Sequence, residues 1–156
     1  GFDANFRTVN IAEASSKGLE FFFSIKNAEG LNITSSYTYN KSKDEYSLSS
    51  DFNQQLLRRP KQQFSISANY IFDENFTAGT EFRFVGQRDD KDFSAFPAAR
   101  VTMPNYSILD LSARYKVFNN ILINARIENL FNKEYEEVLF YGTLKRSFYA
   151  GISYSL

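Results

Sequence analysis

The sequence predicts an all-β protein: an antiparallel up-and-down meander of about seven strands, each with one apolar and one polar face. Three observations predict it. The first is strict alternation, sharpest at the end of the chain. There Phe148, Ala150, Ile152, Tyr154 and Leu156 fall on one face, and Ser147, Tyr149, Gly151, Ser153 and Ser155 on the other. A period of two is the signature of a strand. The second is the connections, which run short, long, short, long, short, long. The third is composition: 17% aromatic, with 17 Phe and 10 Tyr, at a mean hydropathy of −0.39. No apolar run approaches the length of a membrane helix. A barrel hides its lipid face in alternate residues, so averaged hydropathy does not register it.

The first strand is expected over about residues 9–26, with Leu19, Phe21, Phe23 and Ile25 on one face. Asn27-Ala-Glu-Gly30 then makes a tight hairpin, with Gly where a positive φ is wanted. The second strand, about 31–41, sets Leu31, Ile33, Ser35, Tyr37 and Tyr39 against Asn32, Thr34, Ser36, Thr38 and Asn40. A long polar loop follows over about 42–59. Pro60 stands at the start of the third strand, a position where a sheet tolerates proline. That strand shows Phe64, Ile66, Ala68, Tyr70 and Phe72 against Ser65, Ser67 and Asn69. Asp73-Glu-Asn75 is a second tight turn.

The fourth strand, about 76–88, sets Phe76, Ala78, Phe82 and Phe84 against Thr77, Glu81, Arg83 and Gln87. A second long loop covers about 89–104. The fifth strand opposes Leu109, Leu111, Ala113, Tyr115 and Val117 to Asp110, Ser112, Arg114 and Lys116. After the turn Phe118-Asn-Asn120, the sixth opposes Ile121, Ile123, Ala125 and Ile127 to Asn124, Arg126 and Glu128. The third long loop, about 132–145, precedes the terminal strand. No helix of substantial length and no linker is expected.

The 18 basic and 18 acidic residues cancel, so no net charge draws the chain to nucleic acid. Cys and His are absent. That removes thiolate metal sites, the usual general base and the commonest metal ligand. Ser is plentiful, but no ordinary nucleophile–base pair can be assembled. The expectation is no enzyme, no catalytic residue, no metal ligand and no cofactor. The alternation admits two placements. In a membrane barrel the apolar face meets lipid and the charged face lines a wet lumen. In a soluble barrel or sheet the apolar face is the core and binds lipid or a small molecule. A free-standing small outer-membrane barrel, structural or adhesive, would need an eighth strand from residues 2–15.

At Glu128-Asn-Leu-Phe-Asn-Lys-Glu-Tyr135 the sequence resembles the C-terminal region of TonB-dependent outer-membrane transporters. Ala14-Ser-Ser-Lys-Gly-Leu-Glu20 resembles the start of a strand in that family. Leu56-Leu-Arg-Arg-Pro-Lys-Gln-Gln63 resembles its strand start after an extracellular loop. Val85-Gly-Gln-Arg-Asp-Asp-Lys-Asp-Phe93, followed by Ile108-Leu-Asp-Leu111, is most similar to the cobalamin-transporter branch. The resemblance spans about residues 9–156 and implies a 22-stranded transmembrane β-barrel with a plugged lumen. Residues 1–156 would form its C-terminal portion, about strands 16 to 22, with the plug domain and N-terminal strands outside this chain.

The implied localisation is the outer membrane of a Gram-negative bacterium. The implied function is active transport of a scarce metal chelate, a cobalamin or a siderophore. The implied partners are outer-membrane lipid and lipopolysaccharide, the plug and remaining strands, and TonB through an N-terminal part. The family ends in an aromatic residue as an assembly signal. Leu156 departs from it, while Tyr154, Ile152 and Phe148 keep the rest.

Four charged groups are candidates for contacts. Arg88-Asp-Asp-Lys-Asp92 could hold a cation or substrate, with solvated extracellular loop charge as the plainer expectation. Arg58, Arg59 and Lys61 could hold lipopolysaccharide phosphates, or merely prefer the interface. Lys133, Glu134, Glu136 and Glu137 could touch ligand or be exposed loop charge. Glu81 with Arg83, and Arg126 with Glu128, could meet the plug or pair within the lumen. The resemblance alone assigns no binding residue.

Overall fold

In the computed structural model, residues 13–94 and 96–155 are described. The elements are β1 (Ala14–Lys26), β2 (Leu31–Asp44), β3 (Gln62–Ile71), β4 (Phe76–Val85), β5 (Arg88–Asp92), β6 (Ala99–Met103), β7 (Tyr106–Phe118), β8 (Ile121–Glu128), β9 (Glu136–Val138), β10 (Tyr141–Gly142) and β11 (Ser147–Tyr154). One sheet holds seven strands in the order β1-β2-β3-β4-β7-β8-β11. Every neighbouring pair in it is antiparallel. The meander expected from the sequence is therefore present, and both edge strands run from the long-loop end to the short-turn end.

The register keeps each face intact across the whole sheet. Leu111 lies opposite Thr80 on one side and Ile127 on the other, and Ile127 lies opposite Phe148. Phe21 meets Tyr37, which meets Phe64, which meets Phe84. A one-residue slip at any pair would turn a strand's apolar set to the polar side. Among the described residues, nothing is layered on the apolar face. Leu19, Phe21, Phe148 and Ile152 stay 62–75% exposed. Among the described residues the buried apolar side chains are Met103, at the end of β6, and Tyr106 and Ile108, at the start of β7. A continuous bare apolar face of this extent is what lipid, not water, tolerates.

At the short-turn end the apolar face carries a chain of rings. Tyr70 and Phe72 lie 4.7 Å apart, Phe72 and Phe76 5.1 Å, and Phe76 and Tyr115 6.5 Å between centroids. This is an aromatic girdle at one membrane interface. The opposite face is hydroxyl- and charge-lined. Thr34 and Ser67 share a hydrogen bond of 2.6 Å, and Ser36 and Ser65 one of 2.8 Å.

The short turns are built by their own side chains. The Leu31 N–H donates to Asn27 Oδ1 at 2.8 Å, and Gly30 sits at φ +90°. Asp73 Oδ1 accepts the N–H groups of Asn75 and Phe76 at 2.7 and 2.8 Å. An Asp that holds the backbone two residues on is the usual chemistry of such a turn.

The structure departs from the sequence expectations at the loop end. β2 continues to Asp44, because Ala14, Ser15 and Ser16 of β1 still pair with Asp44, Lys43 and Ser42. β4 stops at Val85, and β5 and β6 then form a separate hairpin within the second long loop. A small β9–β10 ladder occupies the third. The part of the first strand expected over residues 9–12, and Leu156, lie outside the described residues.

Candidate functional site

The three long loops gather at one end of the sheet, and three side chains in the second loop tie them together. Asp90 has no exposed surface. Both its carboxylate oxygens accept from Arg58 Nε of the first loop, at 2.9 and 3.1 Å. Its Oδ2 also accepts the Leu139 N–H of the third loop at 2.9 Å, and Oδ1 accepts the Lys91 N–H at 2.8 Å. Burial by itself would raise the Asp90 carboxyl. The hydrogen bonds from Leu139, Lys91 and Arg58, with the Arg58 charge, outweigh burial and hold it below the usual carboxylate range.

Arg88, also buried, donates to the Glu136, Glu137 and Pro104 carbonyls and lies 5.4 Å from the Tyr106 ring centroid. A guanidinium with five fixed donors suits such a junction better than an ammonium would. Tyr106 stacks on Tyr135 at 4.2 Å and donates through its hydroxyl to Glu137 at 3.2 Å. The third tie is Arg100 of β6. It pairs with Asp89 at 2.9 Å and Asp51 at 3.2 Å, and donates to the Gln55 carbonyl. Lys91 adds an ion pair to Asp51 at 2.6 Å.

The structure corrects the plainer expectation for residues 88–92. Arg88 and Asp90 are not solvated loop charge, because their partners lie on other loops and cover them. Nor do the carboxylates of Asp89, Asp90 and Asp92 converge on a cation. Asp89 faces Arg100 and Thr102, Asp90 faces Arg58, and Asp92 accepts the Ser94 N–H. Arg58 turns its guanidinium to Asp90 while half of its side chain stays exposed, and Arg59 and Lys61 are exposed as well.

In the third loop, Glu136 accepts the Phe140 N–H, and exposed Glu134 pairs with Lys145 at 2.5 Å. The side chain of Asn129 bridges Lys133 and Leu144. Sequence reasoning missed Arg100, Tyr106 and Asn129. The alternation of Arg100 and Thr102 with Val101 and Met103 was a signal for β6. Asn129 lies in the Glu128–Tyr135 segment that carried the resemblance, but its role as a bridge across the third loop was not read from it.

On the polar face, the two expected pairs are present. Arg83 lies 3.7 Å from Glu81 and 3.1 Å from Asp110, and Arg126 lies 3.1 Å from Glu128. They neutralise one another within the sheet wall. A family model described as TonB dependent receptor-like, beta-barrel, matches residues 1–130.

The chain belongs to the TonB-dependent receptor β-barrel family.

The vitamin B12 transporter BtuB of Vibrio cholerae is 34% identical to this TonB-dependent receptor barrel over 100 residues, 64% of the chain and 16% of BtuB. The chain therefore spans about 16% of the length of the curated relatives it matches. Two solved structures share its fold. The ferripyoverdine receptor of the Pseudomonas aeruginosa outer membrane has a TM-score of 0.77 at 20% identity, over 90% of this chain and 19% of that one. The ferric-catecholate import receptor Fiu of Escherichia coli has 0.78 at 17%, over 90% and 21%. The receptor barrel segment thus lies in the outer membrane of a Gram-negative bacterium, and its family is one of transporters rather than an enzyme class. Its sheet is open, so these strands form part of a barrel wall.

Proposed function

We propose that the protein to which residues 1–156 contribute is a TonB-dependent active transporter of a metal chelate, a cobalamin or a siderophore. Residues 1–156 are its C-terminal portion: barrel wall, three extracellular loops and the terminal assembly strand. The observation that carries the reading is the pairing of a predominantly apolar outer face with three loops tied into one cluster above a polar inner face. The outer face suits lipid. The tied loops offer a preorganised extracellular surface, which lowers the ordering cost of capturing a ligand. Similarity to BtuB favours a cobalamin over a siderophore. A plug and further strands would complete a 22-stranded barrel, and TonB would supply the energy.

The test is uptake by cells. A strain lacking the full-length gene is given it back, with and without TonB, and supplied with radiolabelled cyanocobalamin or with ferric siderophores. TonB-dependent accumulation of cyanocobalamin, restored only by the intact gene, is the expected result. Uptake of a ferric siderophore alone would move the substrate class. No TonB-dependent uptake of either would reject active chelate transport.

A further inference from the structure

The third loop does not stand clear of the wall; it leans over the inner face. Tyr106, Ile108 and Asp110 share the inward side of β7. Tyr106 stacks on Tyr135 and donates to Glu137, and Asp110 Oδ1 accepts the Asn129 N–H at 2.8 Å. Ile108, between those two contacts, is 3% exposed. Beside it lies a cavity of about 420 Å³. Arg83, Asp110 and Glu128 border it from the wall, and Tyr135, Glu137 and Lys145 from the loop. The loop is held in place by the second loop, since Arg88 holds the Glu136 and Glu137 carbonyls and Asp90 the Leu139 N–H. A cavity already shaped before a ligand arrives adds little ordering cost to binding.

The charges of the lining are already matched, with one exception. Arg83 pairs with Asp110 and Glu81, Glu128 with Arg126, and Lys145 with Glu134. Glu137 has no ion-pair partner among the described residues. Its Oε1 accepts from the Tyr106 hydroxyl, which leaves Oε2 open. The Tyr135 hydroxyl has no hydrogen-bond partner among the described residues; only its carbonyl is engaged, by Thr143. An anionic group entering the cavity therefore meets no free cation and faces the Glu137 carboxylate. An uncharged group that both donates and accepts finds an acceptor at Glu137 and a donor at Tyr135.

We propose that this cavity receives an uncharged carboxamide arm of the transported chelate. The amide NH2 group donates to Glu137, and the amide carbonyl accepts from the Tyr135 hydroxyl. At about 420 Å³ the cavity lies near the small end of ligand pockets, which run from about 300 to 1,000 Å³. It suits one arm of a chelate rather than the whole of it. The inference rests on the chelate-transport reading and narrows it. It selects a carboxamide-bearing chelate, such as a cobalamin, over an anionic ferric siderophore, and makes Tyr135 and Glu137 the residues that discriminate between them.

The test measures equilibrium binding to the full-length receptor in outer membranes. The probes are cyanocobalamin and its monocarboxylic acids, in which one carboxamide has been hydrolysed. Wild type is expected to bind cyanocobalamin several-fold more tightly than at least one of the acids. Glu137→Gln keeps an acceptor for Tyr106 but loses the charge, and should erase that preference. Tyr135→Phe keeps the ring stack but loses the hydroxyl. It should weaken cyanocobalamin binding about fivefold, the worth of one neutral hydrogen bond. A merely structural role for Glu137 would move both affinities together and leave their ratio unchanged. The same affinity and the same preference in both variants would overturn the proposal while leaving chelate transport intact. Tight binding of an anionic ferric siderophore, lost in Tyr135→Phe, would overturn the choice of an uncharged ligand. Binding of neither class of chelate by wild type would reject the transport reading, and the proposal with it. Heat-modifiable migration on gels reports barrel closure separately, so a misfolded variant is distinguished from an empty cavity.

Discussion

Asp90 shows how one buried carboxylate can set the shape of an extracellular surface. Its removal strands the Leu139 and Lys91 N–H groups and frees Arg58. Asp90→Ala should therefore loosen the loop cluster by about 2–3 kcal/mol, and Asp90→Asn by less, because the shape survives while the charge is lost. Protease nicking of the third loop should rise accordingly, and equal nicking in wild type and both variants would contradict this. The same carboxylate sets a pH window. Its folded pKa lies below the unfolded value of about 3.9. Its contribution is thus complete above that value and is lost as the pH falls through the lower folded one. Pepsin cleavage at residues 134–145 should stay slow at pH 5 and accelerate below about pH 4. An acceleration no greater than that of an unfolded control peptide would sink the argument.

Among the elements, the seven strands of the main sheet were legible because they alternate, as in Phe148 to Tyr154 against Ser147 to Ser153, with Phe22 on the polar face of β1 as an exception. The short turns were legible in Gly30 and Asp73. The β5–β6 hairpin was not. Its first strand, Arg-Asp-Asp-Lys-Asp, reads as solvent-loving, and what buries it is the complementary charge of Arg100 on its partner strand β6 and of Arg58 in the first loop, thirty-two residues before Asp90. Period and polarity report one strand at a time, so pairing between loops leaves no trace in them. The loop cluster was foreseen only as charge, and its linkages were not.

The two faces of β7 should respond oppositely to the same change. Leu111→Arg puts a cation in the middle of the lipid band and should cost about 2–4 kcal/mol. Ser112→Arg, one residue on and inward, should cost little, because the inner face is wet. Urea titration of the full-length protein refolded into lipid vesicles measures both, and equal losses would mean that the faces are misassigned. Arg88→Lys should release the third loop from the second, since one ammonium cannot reach the Glu136, Glu137 and Pro104 carbonyls together. Faster hydrogen exchange in β9, with β8 unchanged, is the expected signature.

For the molecule as a whole, the apolar face sets the environment. The full-length protein should remain in the membrane pellet after an alkaline carbonate wash, and recovery in the supernatant would return the sheet to a soluble reading. The tied loops, the paired charges of the inner wall and the bare outer face belong to one consistent arrangement, in which each side chain's surroundings agree with its polarity. The direction of the edge strands carries one more consequence. β1 and β11 both run from the loop end to the turn end, because they are the first and last of seven alternating strands. Joining them directly would make a parallel seam in a wall whose other pairings are all antiparallel. Bacterial single-chain barrels close with an even number of strands. Parity therefore demands an odd number of additional strands between these two edges, which excludes a seven-stranded cylinder on counting alone.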